Sequence, residues 1–262
     1  MGGANRLTDK YQVPAVRRAN DVLARVAAEP ARLRLIDLAR RLDVNKSSMF
    51  ALLHTLESLR WVEKNNDDTY SLGSAIGEIG SAYYRQFDYI GAFRREARIA
   101  ASEVGATFQL AKLDGREVVC LAMEEAMTPV RLASSPGARL PAHATALGKA
   151  LLASLDEQTL LALYPDASIG PQLTPYTITD RETLFAQLNS FRAEGLAEES
   201  QEGVVGICCA AAPVRGPDGQ AIAAVSCSMS VFEWEGRRDS VRAAVASAAA
   251  RISGAPPQES RV

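Results

Sequence analysis

VNKSSMFALLHTLESLRWV, residues 44–62, puts a polar, charged start on an apolar segment that closes on a basic residue and a tryptophan. Met49, Leu52, Leu53, Leu56 and Leu59 recur at spacings of three and four, which places them on one face of a helix. Asn45 or Ser47 can cap it. Lys46, Ser47, Ser48 and Phe50 then occupy the first turns, so the end with free backbone N–H groups also carries polar donors, a combination that favours phosphate.

The flanking residues supply a context for that helix. Pro14 opens an amphipathic stretch in which Val16, Ala19, Val22, Leu23 and Val26 share a face, and Pro30 stops it. A second helix is expected over residues 33–42, and the turn LDVNK leads directly into the third. Two short helices, a tight turn and a third helix with a polar first turn make a helix-turn-helix. Residues 61–64 and 69–72 read as strands around the turn-forming Asn65-Asn66-Asp67-Asp68, so the motif is winged. A helix-turn-helix sets its third helix in the DNA major groove, where short polar side chains at the helix start read base edges. Lys46, Ser47, Ser48, Phe50 and His54 are the candidate contacts, Lys46 as a phosphate clamp because its compact charge lacks bidentate geometry. Arg17, Arg18, Arg40, Arg41 and Lys64 are candidate backbone contacts. Each has a plainer alternative: Lys-Ser-Ser is also an ordinary capped, solvent-facing turn, Phe50 can pack on the second helix, and His54 can sit at the helix flank.

Composition is compatible with this reading. The 262 residues allow one large domain or two ordinary ones. Residues 1–72 hold 12 Lys+Arg against 9 Asp+Glu, a charge of +3, and the remaining 17 against 22 give −5, which sum to the chain's −2. That mild asymmetry has the sign expected if only the N-terminal part meets a polyanion. Cys120, Cys208, Cys209 and Cys227 lack metal-clamp spacing, and with His54 and His143 the only histidines, no metal or other cofactor is expected. The N-terminal residues lack a signal-peptide core and no run approaches the roughly 18 apolar residues of a membrane span, so a cytoplasmic protein with reduced thiols and no membrane partner is expected.

Beyond the wing, residues 74–87 have helical spacing despite two glycines and read as a linker. Helices are then expected over 90–104, 145–155, 156–163, 180–193 and 237–252, with strands over 106–113, 117–124, 130–133, 206–214 and 221–228. The turns Asp114-Gly115 and Pro217-Asp218-Gly219 suit hairpins and favour an antiparallel sheet. The expected domains are a disordered arm 1–13, a winged helix-turn-helix 14–73, a linker helix 74–88, a second domain 89–253, which the family resemblance given next makes effector-binding, and a disordered tail 254–262. The fold class is α+β.

Four stretches in order along the chain, VNKSSMFALLHTLESLRWV, YSLGSAIGEIGSAYY, LPAHATALGKALLASL and GICCAAAPVRGPDGQAIAAVSCS, resemble the IclR (isocitrate lyase regulator) family of bacterial transcriptional regulators. The resemblance covers nearly all of residues 14–252. It implies a winged helix-turn-helix, a linker helix and a C-terminal effector domain similar to GAF sensors with a central antiparallel sheet. It also implies a homodimer or tetramer on a palindromic or pseudo-palindromic operator and control of transcription rather than enzyme activity, with repression the expected mode. Its effector contacts map onto Ala146 and Leu147 at a helix start, Glu199 in a preceding loop, Ile207 and Cys209 on one strand and Ser226 and Ser228 on the next, with Leu132 and Leu140 as an apolar wall. Alternation agrees in part, since Ile207 shares a face with Cys209 and Ser226 with Ser228. These positions offer hydroxyls, a thiol and apolar walls but no arginine, which suits a small organic acid such as a hydroxybenzoate. The plainer alternative makes the serines backbone partners and Cys209 a small buried hydrophobe. Two departures stand out: Ala51 where the family has an arginine, and Arg60 where it has a glycine just after the helix.

Catalysis would need an activated nucleophile beside a base, and only Cys208 or Cys209 with His143 could supply one in this half. A redox switch at the same cysteines is the second alternative. His143 is expected to be structural, holding the loop before its helix.

Overall fold

Pro14 occupies the first position of helix α1, Pro14–Ala28, where its missing N–H costs no hydrogen bond. In the computed structural model, which describes residues 13–84, 89–126 and 135–254, the chain divides after Gln86 into two compact units. Residues 1–12 of the expected arm, 85–88 at the end of the expected linker, the expected strand 130–133 with Leu132, and residues 255–262 of the expected tail lie outside the described residues.

In the first unit α1 is followed by β1, Leu33–Arg34, α2, Leu35–Arg41, and α3, Lys46–Ser58. The helix expected over 33–42 therefore starts two residues late. Leu33 is buried and pairs with Tyr70 in a strand, while the Arg34 N–H donates to Asp37 Oδ2 at 3.2 Å and starts the helix behind it. The turn between α2 and α3 places Asp43 at φ 51°, a left-handed conformation that aspartate tolerates well. Strands β2, Val62–Lys64, and β3, Thr69–Leu72, form the wing, and the antiparallel sheet has the order β1-β3-β2. Helix α4, Ser74–Tyr84, follows.

The core of this unit gathers Val22, Val26, Leu33, Leu38, Met49, Leu53, Leu56, Val62 and Tyr70. Two side chains expected on the apolar faces are exposed instead, Val16 and Leu59, and both stand at helix ends. A periodic pattern continues to the end of a helix, whereas the partners that could cover it do not. Directly after Leu59, Arg60 takes φ 57°, the left-handed position that commonly ends a helix and favours glycine.

The second unit runs α5, Tyr89–Val104; β4, Thr107–Asp114; β5, Glu117–Glu124; β6, Arg139–Pro141; a 3-10 turn, Ala142–Ala144; α6, Ala146–Leu152; α7, Glu157–Leu163; α8, Arg181–Glu194; β7, Ala197–Ser200; β8, Ile207–Arg215; β9, Ala221–Ser230; and α9, Val231–Ser253. Its six-stranded sheet has the order β6-β5-β4-β9-β8-β7 with every neighbour antiparallel. The hairpins at Gly115 and Gly219 fall where expected, and Gly115 has φ 62° as a two-residue turn requires. Strands β6 and β7 lack an alternating apolar pattern and escaped the sequence reading. Helix α9 begins six residues before the expected 237, directly where β9 ends at Ser230, on a partly exposed turn that lacks an apolar face and leaves Phe232 exposed.

Alternation along the strands assigns the two sheet faces. Phe108, Leu110, Val225 and Cys227 are buried on one. Ala111, Ala197, Ala211 and Ala224 belong to the other, in a cluster with α6 side chains Ala146, Leu147, Ala150 and Leu151. Alanine recurs there because α6 lies close to the strands. Gly148 meets the same restriction, since a Cβ at this position would fall 2.1 Å from the Ala142 carbonyl oxygen.

Candidate functional site

Two sites emerge, one in each unit. At the start of α3, Asn45 is the cap: its Oδ1 accepts the Ser48 N–H and the Ser47 hydroxyl, both at 2.8 Å. Lys46, Ser47, Ser48, Phe50 and His54 are all exposed, while Met49 and Leu53 on the opposite face are buried. Phe50 is 63% exposed, so it does not pack on α2. Its ring is parallel to that of His54 within 5°, with centroids 6.2 Å apart, and the pair forms an aromatic ledge one turn into the helix.

The candidate cations of this unit fall into two states. Arg17, Arg18 and Lys46 are exposed and lack an ion-pair partner among the described residues. Arg40 pairs with Asp37 at 3.2 Å, Arg41 with Glu29, and Lys64 in the wing with Asp68 at 2.6 Å. The hydrogen bond to Asp68 holds the Lys64 ammonium above its usual range, so it stays charged. These pairs are exposed and weak, and phosphate can replace the carboxylate without a large penalty.

In the second unit eight of the nine expected contacts line one cavity of about 140 Å³: Leu140, Ala146, Leu147, Glu199, Ile207, Cys209, Ser226 and Ser228. Leu132, the ninth, is outside the described residues. Sheet register explains the convergence. Glu199 on β7, which is strand rather than the expected loop, pairs with Cys209 on β8, and Cys209 pairs with Ser228 on β9. The three form one cross-strand row, in which the Cys209 thiol donates to Ser228 Oγ at 3.1 Å. Ser226 stands in the adjacent row opposite Gln109 of β4. Ser226 is 2% exposed and its hydroxyl has no hydrogen-bond partner among the described residues, so it is not the backbone-bonded serine of the plainer alternative.

Five further described residues line the cavity: Gln109, Thr145, Leu173, Gly203 and Val204. Thr145 was readable as a helix cap, and its Oγ1 does accept the Gly148 N–H at 3.1 Å. Gln109 is a buried amide on an apolar strand, a feature visible in sequence only once its neighbours in the sheet are known. Leu173, Gly203 and Val204 stand in loops with no periodic pattern.

A buried polar network supports the cavity wall. The Lys149 ammonium, on α6 and fully buried, pairs with Glu202 and donates to Gln187 Oε1 at 2.8 Å. The Glu202 N–H donates to Glu199 Oε2 at 2.8 Å, and its carbonyl accepts the Thr177 hydroxyl at 2.7 Å. Gln201 next to it holds φ 61°, clamped by the Thr174 hydroxyl and its own hydrogen bond to the Ile207 carbonyl. Burial pushes the Glu199 carboxyl above the usual carboxylate range and the Lys149 ammonium below its own. The His143 ring is buried and kept toward its neutral form, and Nε2–H donates to the Pro171 carbonyl at 3.2 Å.

The four cysteines are free, and burial raises every one: Cys120 to about 11, Cys227 to about 12, and Cys208 and Cys209 in the same direction. A nucleophilic or redox-sensing thiol needs the opposite shift. Among the described residues no cluster of His, Cys, Asp and Glu could hold a metal ion, and no helix is long and apolar enough to cross a membrane.

Comparison with known proteins agrees with this geometry. Residues 15–66 match the IclR helix-turn-helix domain, and residues 82–254 match the family described as bacterial transcriptional regulator IclR C-terminal. The HTH-type transcriptional regulator XynR of Escherichia coli (strain K12) is 33% identical over 221 residues, which cover 82% of this chain and 86% of XynR. The HTH-type transcriptional repressor AllR of the same strain is 31% identical over 196 residues, 73% of this chain and 71% of AllR. An IclR transcriptional regulator from Alicyclobacillus acidocaldarius has a similar structure, with TM-score 0.78 and 29% identity over 93% of this chain and 98% of that one. An IclR homologue from Microbacterium hydrocarbonoxydans complexed with 4-hydroxybenzoate shares the fold at TM-score 0.79 and 21% identity, over 91% of this chain and 97% of its own. These relatives are regulators rather than enzymes, and this chain, with a helix-turn-helix in one unit and a walled cavity in the other, belongs to the IclR family of DNA-binding transcriptional regulators.

Proposed function

We propose that the protein is a repressor whose affinity for its operator is changed by a small organic acid bound in the second unit, with an aromatic monocarboxylate such as a hydroxybenzoate the favoured class. The observation that carries this reading is the cavity: residues dispersed from Gln109 to Ser228 meet around a space of about 140 Å³ with apolar walls and a row of polar groups. A cavity of roughly 150 Å³ is enough for a benzene ring. The unpartnered Ser226 hydroxyl and Ser228 are suitable donors for a carboxylate. The repressor AllR among the relatives supports the mode of action, and the hydroxybenzoate complex of the more distant homologue is in keeping with the ligand class.

In this reading residues 14–73 bind the operator as part of a homodimer or tetramer, residues 89–253 bind the effector, and residues 74–88 connect them. Ser47, Ser48 and the Phe50–His54 ledge read bases, while Lys46, Arg17, Arg18, Arg40, Arg41 and Lys64 hold the backbone. The effector acts by population shift, so it must bind the DNA-competent and the DNA-incompetent states with different affinity.

The test is a thermal-shift screen against benzoate, hydroxybenzoates and short aliphatic acids, followed by operator binding with each hit. A true effector at 100 times its dissociation constant stabilises the protein by about 2.7 kcal/mol and changes the salt-dependent affinity for its promoter fragment. Release from DNA by peroxide, reversed by dithiothreitol and insensitive to every acid, would replace this reading with a redox switch.

A further inference from the structure

We infer that the cavity takes its anion together with one proton, shared between the incoming carboxylate and Glu199, so that it selects monocarboxylates and holds them more tightly in acid. The inference depends on the effector reading above and adds to it the charge of the ligand and its link to pH.

Glu199 is only 5% exposed and sits at the end of the polar row with Cys209 and Ser228, on the cavity wall. None of the described lining residues is cationic. Of the charged and titratable groups around Glu199, the Cys209 thiol shares its row and bonds to it, and the Lys149–Glu202 pair acts on it with opposing charges. Lys149 of α6 is bound to Glu202 and Gln187, so its charge is offset by the Glu202 carboxylate, while the Glu202 backbone N–H donates to Glu199. His143, beyond Lys149, donates to Pro171. Cys208 pairs with Ser200 and, by strand alternation, points to the opposite sheet face from Cys209. Arg238 and Arg242 are bound to Glu198, which also alternates away from Glu199.

A ligand carboxylate therefore enters a buried space that already contains one carboxyl group and, among the described lining residues, no cation. Two carboxylates brought within hydrogen-bond reach of each other in a buried site do not both ionise, and the pair retains one proton. Solvent supplies it, so binding consumes one proton wherever free Glu199 is ionised. Burial has already raised the affinity of Glu199 for that proton. The Ser226 hydroxyl, without a partner of its own, is left to donate to the remaining charge. A second ligand carboxylate would find no cation among the described lining residues and no carboxyl partner with which to share a proton.

Calorimetric titration of the full chain with benzoate, 4-hydroxybenzoate and terephthalate between pH 5.5 and 8 tests this. For the two monocarboxylates the dissociation constant should rise toward tenfold per pH unit above the Glu199 pKa. Heats measured in buffers of different ionisation enthalpy should report uptake of close to one proton, and terephthalate should bind at least tenfold more weakly than benzoate. Glu199→Gln, which retains an oxygen for the Glu202 N–H, should flatten the pH profile, whereas Glu198→Gln should leave the slope in place. Monocarboxylate binding with no pH dependence and no proton uptake overturns this inference alone, as does a slope that survives Glu199→Gln or equal affinity for terephthalate. Absence of binding by both monocarboxylates across the whole range overturns it together with their proposed role as effectors.

Discussion

The two proposed recognition sites, the start of α3 and the cavity at the start of α6, are built in opposite ways. The first is built from ten consecutive residues, 45–54, whose polar groups face water and are held by one cap and one aromatic stack. The second draws on five strands, a helix start and two loops, and its polar groups are buried. An exposed site can tolerate substitution because water replaces whatever is lost. A buried site cannot, because each group left unpaired there carries its full desolvation penalty.

The strongest way to break that contrast is through Lys149. Lys149→Met leaves the Glu202 carboxylate buried without its partner, and removing one member of such a pair costs about 3–5 kcal/mol. Denaturant unfolding followed by probes in each unit should show the loss in the second unit with the first unchanged. Equal destabilisation of both units would show that they unfold as one.

Recognition itself sharpens the comparison next. Ser47→Ala combined with Ser48→Ala should reduce discrimination between operator and mismatched DNA by about 1–3 kcal/mol, with the effector dissociation constant unchanged. Ser226→Ala should weaken effector binding by about 1 kcal/mol, roughly fivefold, with effector-free operator affinity unchanged. Anisotropy titrations on DNA and calorimetry on ligand separate the two. If either variant loses both activities, the division between units fails.

A smaller effect is expected at Arg60, whose φ of 57° costs a non-glycine residue roughly 1–2 kcal/mol. Its ion pair with Glu78, 3.5 Å apart and exposed, recovers little of that. Arg60→Gly should therefore stabilise the first unit by up to about 1 kcal/mol after the greater entropy of unfolded glycine is deducted, seen as a higher urea midpoint at constant m-value. A lower midpoint would mean that Arg60 makes contacts that its exposure conceals.

How legible each region was follows from the same contrast. The caps at Asn45 and Thr145, the wing and the two glycine hairpins are local events, and all were readable. Strands β6 and β7 were not, because they are short and partly polar and exist through pairing with β5 and β8. Leu33 was assigned to a helix for a related reason: its spacing suited one, and only its pairing with Tyr70 makes it a strand. Phe50 was undecided between core and solvent until the position of α2 was known, and the structure leaves it exposed. The cavity residues named before the structure came from resemblance and from alternation on two strands. Gln109, Leu173, Gly203 and Val204 had neither guide.

By itself the sequence determined where helices begin, where hairpins turn and which end of α3 bears polar side chains, since caps, glycine turns and 3.6-residue periodicity operate between residues a few positions apart. Only the tertiary structure decided that Glu199, Cys209 and Ser228 form one row, that Ser226 faces Gln109, and that Lys149 is held by Glu202 across 53 positions of chain. Strand order and register set those neighbours, and they are properties of the assembled sheet rather than of any one strand.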